Sequence, residues 1–204
     1  AIGTSQNIPM VKAIQQIGVG KSIEYLKKMG ISTINDEKDN YLGLALGGIT
    51  DGICPLEMAA AYATIANDGV YIEPIFYTKV VDSEGNIILE AKQETRTVIS
   101  KAAAYVIKEI LTQPVKTGTA TYCGISGISV AAKTGTTDDD FDRWLCGFTP
   151  YYAAAFWFGF DKPGQSLGLH ITGATLAGFA WGDYMRAINR DLIPKDFPQP
   201  PSGV

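Results

Sequence analysis

Ile128-Ser129-Val130-Ala131-Ala132-Lys133-Thr134-Gly135-Thr136 is an apolar run closed by a lysine, two threonines and a glycine. The apolar half predicts a strand over 128–132, and a rigid strand end can hold an ammonium and two hydroxyls in fixed positions. Two more strands are expected over 143–148 and 153–160. The connections between them, the Asp138-Asp139-Asp140 loop and Thr149-Pro150, are short enough to make an antiparallel meander.

Helices are predicted on either side of this meander, so the fold class is α/β of the α+β type, an antiparallel sheet flanked by helices. Pro9 suits a first helical turn, and the pattern through Val11, Ile14, Gln15 and Ile17 stops at Gly18. A second helix is expected from about Ser22 to Gly30, with Ile23, Leu26 and Met29 on one face. A polar loop follows over 35–40. Pro55 opens an alanine-rich helix that Asn67-Asp68-Gly69 ends. Segments 80–82 and 87–89 flank Ser83-Glu84-Gly85-Asn86 and read as a hairpin projecting from the core. Ser100 should cap a helix whose buried stripe is Ala103, Val106, Ile107, Ile110 and Leu111. The last helix is expected over 175–192 with Leu176, Phe179, Ala180, Met185 and Ile188 inward. Residues 1–193 read as one body and 194–204 as a proline-rich tail without a core pattern.

A chain of 204 residues that is 46% hydrophobic can bury one sizeable core, and its mean hydropathy of +0.06 argues against disorder. The net charge of −4 and the lack of a basic tract exclude nucleic acid as a partner. No apolar stretch reaches bilayer length, and the N-terminus has neither a charged region nor an apolar core of a secretory signal; it reads as a cut through a larger protein. Cys54, Cys123 and Cys146 are odd in number and widely spaced, which fits neither a disulfide framework nor a zinc site, and His170 has no triad arrangement around it. No cofactor and no metal are predicted.

Several short motifs compete for attention. Gly20-Lys21-Ser22 lacks the earlier glycine and the preceding strand of a phosphate-binding loop. The aspartates at 138, 139, 140 and 142 lack the ligand spacing of a calcium loop and read as a solvated turn. Trp144, Trp157 and Trp181 are expected to pack between sheet and helix. Lys116-Thr117-Gly118-Thr119 repeats the letters of 133–136, but follows Pro114 and a helix end, so it reads as a glycine-rich loop. Ser5-Gln6-Asn7, on the loop entering the first helix, could be a simple helix cap. Paired with a strand ending in Lys-Thr-Gly, it could instead supply a proton-relaying hydroxyl and an amide beside a reacting serine.

The ordered series Ser5-Gln6-Asn7-Ile8-Pro9, Ala45-Leu46-Gly47-Gly48, Pro55-Leu56-Glu57-Met58-Ala59 through Asn67-Asp68-Gly69, Ala132-Lys133-Thr134-Gly135-Thr136-Thr137 and Trp144 to Pro150 resembles the C-terminal part of the transpeptidase domain of class A penicillin-binding proteins. The likeness covers nearly the whole chain and implies the penicillin-binding protein and serine β-lactamase fold, here as an incomplete C-terminal fragment. In that family a serine in an S-x-x-K motif attacks a stem peptide ending in D-Ala-D-Ala, releases the last D-Ala and passes the acyl group to an amine. β-Lactams acylate the same serine.

The resemblance implies that Ser5 relays a proton, that Asn7 binds the donor's amide and that Lys133 adds positive potential. It also implies that Thr134 and Thr136 bind the donor's terminal carboxylate, that the Thr136 N–H forms half of an oxyanion hole, and that Gly135 leaves room for the ligand. No serine of the chain is followed three residues later by lysine, so the nucleophile is expected on an N-terminal partner fragment carrying S-x-x-K. The implied partners are that fragment, peptidoglycan stem peptides and β-lactams. The implied location is the extracytoplasmic face of the bacterial membrane, with the anchor outside this chain. A β-lactam-binding sensor and a serine β-lactamase are the alternatives.

Overall fold

The computed structural model describes residues 1–162, 164–168 and 172–198, so His170 and the last residues of the expected tail lie outside the described residues. A 3-10 turn, Ile2–Thr4, leads into α1 (Asn7–Ile17), and α2 (Val19–Lys28) follows after a single residue. That residue is Gly18, whose φ of 91° breaks the helical path without steric cost. The second helix therefore begins three residues earlier than the sequence pattern suggested. Ile14 and Ile23 pack with Ile31, Ile34, Leu44 and Ala61 into one apolar cluster.

Next come α3 (Pro55–Ala66), the short ribbon strand β1 (Val70–Ile72), the hairpin β2 (Lys79–Val81) and β3 (Ile87–Glu90), and β4 (Thr95–Thr97), which pairs antiparallel with β1. Asp82 sets the hairpin turn, since its carboxylate accepts from the N–H groups of Glu84 and Asn86 and from the Asn86 amide. Every residue of β2 and β3 is exposed, as a projecting hairpin requires.

Ser100 caps α4 (Lys101–Thr117), accepting from the Ala103 N–H at 3.2 Å. The helix runs through Pro114 and ends later than expected. Its buried stripe is also rotated from the predicted one: Val106 and Ile110 are exposed, while Ala104, Lys108, Leu111, Thr112 and Pro114 are buried. Lys108 can lie inside because Asp68, at the end of α3, accepts from its ammonium at 2.5 Å and the Ala66 carbonyl at 3.2 Å. Burial raises the Asp68 carboxyl, but the hydrogen bonds and charges of Lys108 and Lys101 outweigh that and hold it below its ordinary range.

The meander is β5 (Ala131–Thr136), β6 (Arg143–Phe148) and β7 (Ala153–Phe158), in that spatial order and all antiparallel. The first strand starts at Ala131 rather than 128, because residues 127–129 are tied to the chain's far end. Lys195 donates its N–H to the Gly127 carbonyl at 2.9 Å, and the Lys195 carbonyl accepts from Ser129 at 3.0 Å. The third strand stops at Phe158, two residues short of the expected end.

α5 (Leu176–Asn189) covers one face of this sheet. Its buried side is Ala177, Gly178, Trp181, Gly182, Met185 and Asn189, whereas Phe179, expected inward, is exposed. Trp181 is fully buried against Ala132, Val130 and Leu145, and its Nε1 donates to the Ala154 carbonyl at 3.0 Å. Truncating it to alanine would cost about 3–5 kcal/mol. α3 and α4 cover the other face, where Leu111, Ala131 and Phe148 meet Tyr62 and Ile107. Phe197 joins them, 5.4 Å from the Phe148 ring, so the stretch read as lacking a core pattern contributes a core residue. Trp144 and Trp157, paired across β6 and β7, pack on each other. The fold is thus a mixed α/β arrangement of antiparallel sheets and helices.

Candidate active site

Alternation along β5 sends Ala131, Lys133 and Gly135 to the α3 and α4 face and Ala132, Thr134 and Thr136 to the α5 face. Lys133 lies opposite Cys146 on β6, half-buried along the edge strand of the sheet. Its ammonium donates to Ser5 Oγ at 2.8 Å and to the Thr134 carbonyl at 2.7 Å. The structure therefore joins two groups that are 128 positions apart in the chain. Burial pushes the Lys133 ammonium below its ordinary 10.5, so it gives up a proton more readily than a surface lysine.

Ser5 reaches this position through a left-handed backbone, φ 53° and ψ 46°, a region that disfavours any residue with a side chain. It closes the Ile2–Thr4 turn by donating its N–H to the Ile2 carbonyl at 3.1 Å, and Gln6 donates to Ala1 at 3.0 Å. Gln6, not Ser5, occupies the N-cap position of α1, and no side chain caps that helix. The hydroxyl of Ser5 is left to meet Lys133. A conformation of this kind costs on the order of 1–3 kcal/mol and tends to occur where a site requires it. Asn7 is the first residue of α1, exposed, and lines an open concavity of about 590 Å³ with Ser5, Gln6, Ile8 and Pro9.

Both threonine hydroxyls have partners. Thr134 Oγ1 lies 2.9 Å from Thr119 Oγ1, and Thr136 Oγ1 accepts from the Gly173 N–H at 3.2 Å. A hydroxyl carries one donor and two acceptor sites, so accepting from Gly173 does not use the Thr136 O–H. Gly135 is confined by its own sheet: a Cβ there would sit 3.0 Å from Trp144 Cβ. At the far end of the strand, Asp140 and Asp142 are engaged with protein groups. Asp140 accepts from the fully buried Arg143 at 2.5 Å, and Asp142 accepts from Trp157 Nε1 at 2.8 Å.

Thr119 and Gly173 were missed by sequence reasoning. Thr119 carried a signal, since it closes the repeated Lys-Thr-Gly-Thr. Lys116 of that repeat is exposed in the last turn of α4, outside the Lys133 and Ser5 cluster.

The description "Penicillin binding protein transpeptidase domain" belongs to the family profile that matches residues 1–165. The chain belongs to that family. It is 39% identical, over 205 residues covering 100% of this chain and 25% of the relative, to penicillin-binding protein 1A of Clostridium acetobutylicum. The crystal structure of penicillin-binding protein 1A from Haemophilus influenzae superposes with a TM-score of 0.84 at 25% identity, covering 98% of this chain and 35% of that one. PonA1 from Mycobacterium tuberculosis in complex with penicillin V gives a TM-score of 0.75 at 28% identity, over 87% of this chain and 51% of that one. These agree with the family and fold expected from the motifs. The chain spans about a quarter of the length of the Clostridium relative. Among the described residues, no helix is long and apolar enough to cross a membrane.

Proposed function

We propose that this chain supplies the S-x-N and Lys-Thr-Gly side of a peptidoglycan D,D-transpeptidase site, with the acylated serine on a segment outside these 204 residues. The observation that carries this reading is the 2.8 Å hydrogen bond from Lys133 to Ser5. A proton relay needs its hydroxyl beside a group that favours proton transfer, and a half-buried ammonium is such a group. The readiness of Lys133 to release a proton lets it pass one through Ser5 to the departing amine of the donor. Asn7, on the same concavity as Ser5, hydrogen-bonds the donor's amide.

Thr134 and Thr136 receive the terminal carboxylate, and the Thr136 N–H contributes to the oxyanion hole. As the edge strand, β5 offers its length to an extended donor peptide. Placement at the extracytoplasmic membrane face, with an anchor elsewhere in the protein, follows from the substrate. The penicillin V complex of PonA1 supports β-lactams as ligands. By itself this chain is inactive, because it has no S-x-x-K.

The test is labelling with a fluorescent penicillin, applied to this chain alone, to this chain with an N-terminal fragment carrying S-x-x-K, and to the full-length polypeptide. Stable label on the N-terminal fragment and on the full-length protein, and none on this chain alone, is expected. Label on Ser5 itself would overturn the relay role. Rapid hydrolysis of the drug would point to a β-lactamase, and stable label without D-Ala release from a stem peptide to a sensor.

A further inference from the structure

The second Lys-Thr-Gly-Thr, residues 116–119, touches both sides of the site. Thr119 Oγ1 lies 2.9 Å from Thr134 Oγ1, and the Thr119 N–H donates to the Gly3 carbonyl at 3.3 Å. Gly118 backs onto that same carbonyl: a Cβ at 118 would collide with the Gly3 oxygen, which is backbone and cannot swing aside. Gly3 belongs to the turn that Ser5 closes. A closed circuit results, from Ser5 through Gly3 to Thr119, across to Thr134, and along the strand to Lys133, whose ammonium returns to Ser5.

We propose that Thr119 is a positioning residue for the donor's carboxylate, acting through Thr134; this rests on the transpeptidase reading above. Only one proton can lie between the two hydroxyl oxygens. If Thr134 donates to Thr119, it presents lone pairs to an approaching anion. If Thr119 donates to Thr134, the Thr134 O–H is free to point at the carboxylate, and the chain of donors strengthens that bond. Either hydroxyl can be the donor, and Thr119 is placed to hold its own steady beside Thr134. Its backbone is held by Gly3, and its β-branched side chain has few rotamers in which to wander.

A purely packing role is the competing explanation, and valine, with the same shape, would fulfil it. The experiment uses the full-length polypeptide and two probes, a fluorescent penicillin and the methyl ester of its carboxylate, and reads the second-order acylation rate. Thr119→Val should slow the free acid roughly 3- to 10-fold, as expected for one net hydrogen bond, and leave the ester unchanged within roughly twofold. Thr119→Ser, which keeps the hydroxyl, should restore the free-acid rate. Equal slowing of both probes, or no slowing of the acid, overturns the proposal. Should Thr119→Val fail to fold, Thr119→Ala removes the same hydroxyl with less bulk and carries the same comparison. No acylation of the unsubstituted protein by either probe would remove the transpeptidase reading, and this one with it.

Discussion

The letters Lys-Thr-Gly-Thr occur at 116–119 and at 133–136, and the chain folds them into unlike objects. At 133–136 they form the end of an edge strand, with Lys133 half-buried against Ser5. At 116–119 they straddle the end of α4: Lys116 and Thr117 are its last turn, exposed, and Gly118 and Thr119 are the turn beyond it. The difference comes from what precedes each copy. Ile128 to Ala132 feed a buried sheet, whereas the α4 sequence feeds a helix. Chemistry is set by the rigidity and burial of the element that carries the letters. The copies are nonetheless coupled, because the last threonine of one meets the first threonine of the other.

The sharpest way to break the comparison is to remove each lysine in the full-length polypeptide. Lys133→Ala should lower the acylation rate by fluorescent penicillin about 10²-fold or more, the scale of losing a charge-stabilising donor. Equal losses at Lys116 and Lys133 would erase the distinction. The glycines come next, read by chemical or thermal unfolding. Gly118→Ala drives a methyl into the Gly3 backbone and should destabilise by about 1–3 kcal/mol. Gly135→Ala should cost less, because its Cβ would meet Trp144 Cβ at 3.0 Å, a tight contact but a far smaller overlap than that with the Gly3 oxygen at position 118.

A pH series sharpens the role of the buried copy. The Lys133 ammonium is lost as pH rises through its folded value, which burial holds below 10.5, so acylation should decline before pH 10.5. Stability moves the other way: the unfolded chain keeps that proton up to about 10.5 while the folded chain releases it sooner, so this group favours folding increasingly across the window. Acylation and unfolding free energy measured at the same pH values should therefore diverge, and parallel decline would reject the assignment. The smallest effect is expected at Lys116→Ala, which should leave acylation within roughly twofold of the unsubstituted protein.

Much of the architecture was legible from local signals. Pro55 at a helix start, Ser100 as a cap and Ser83-Glu84-Gly85-Asn86 as a hairpin turn each act within a few residues, and each does in the structure what its chemistry suggests. The face of α4 was not legible, because the burial of Lys108 depends on Asp68, a partner 40 positions away. Phe179 was misplaced on α5 for a related reason. The sheet takes the wide Trp181 ring with small Gly178 beside it over Leu145, and Gly182 makes room for Tyr122, so shape complementarity decided which face turned inward. At the site, Lys133 could be picked from its strand. The left-handed turn at Ser5 and the contact at Thr119 could not, since both are set by segments that meet only after folding.

The torsion at Ser5 places stability and chemistry in opposition at one residue. Glycine at position 5 would relax the backbone, because it alone enters the left-handed region freely, and would delete the hydroxyl that Lys133 holds. Selection for heat resistance alone would thus favour a tougher molecule that, on the proposed role of Ser5, has lost its proton path.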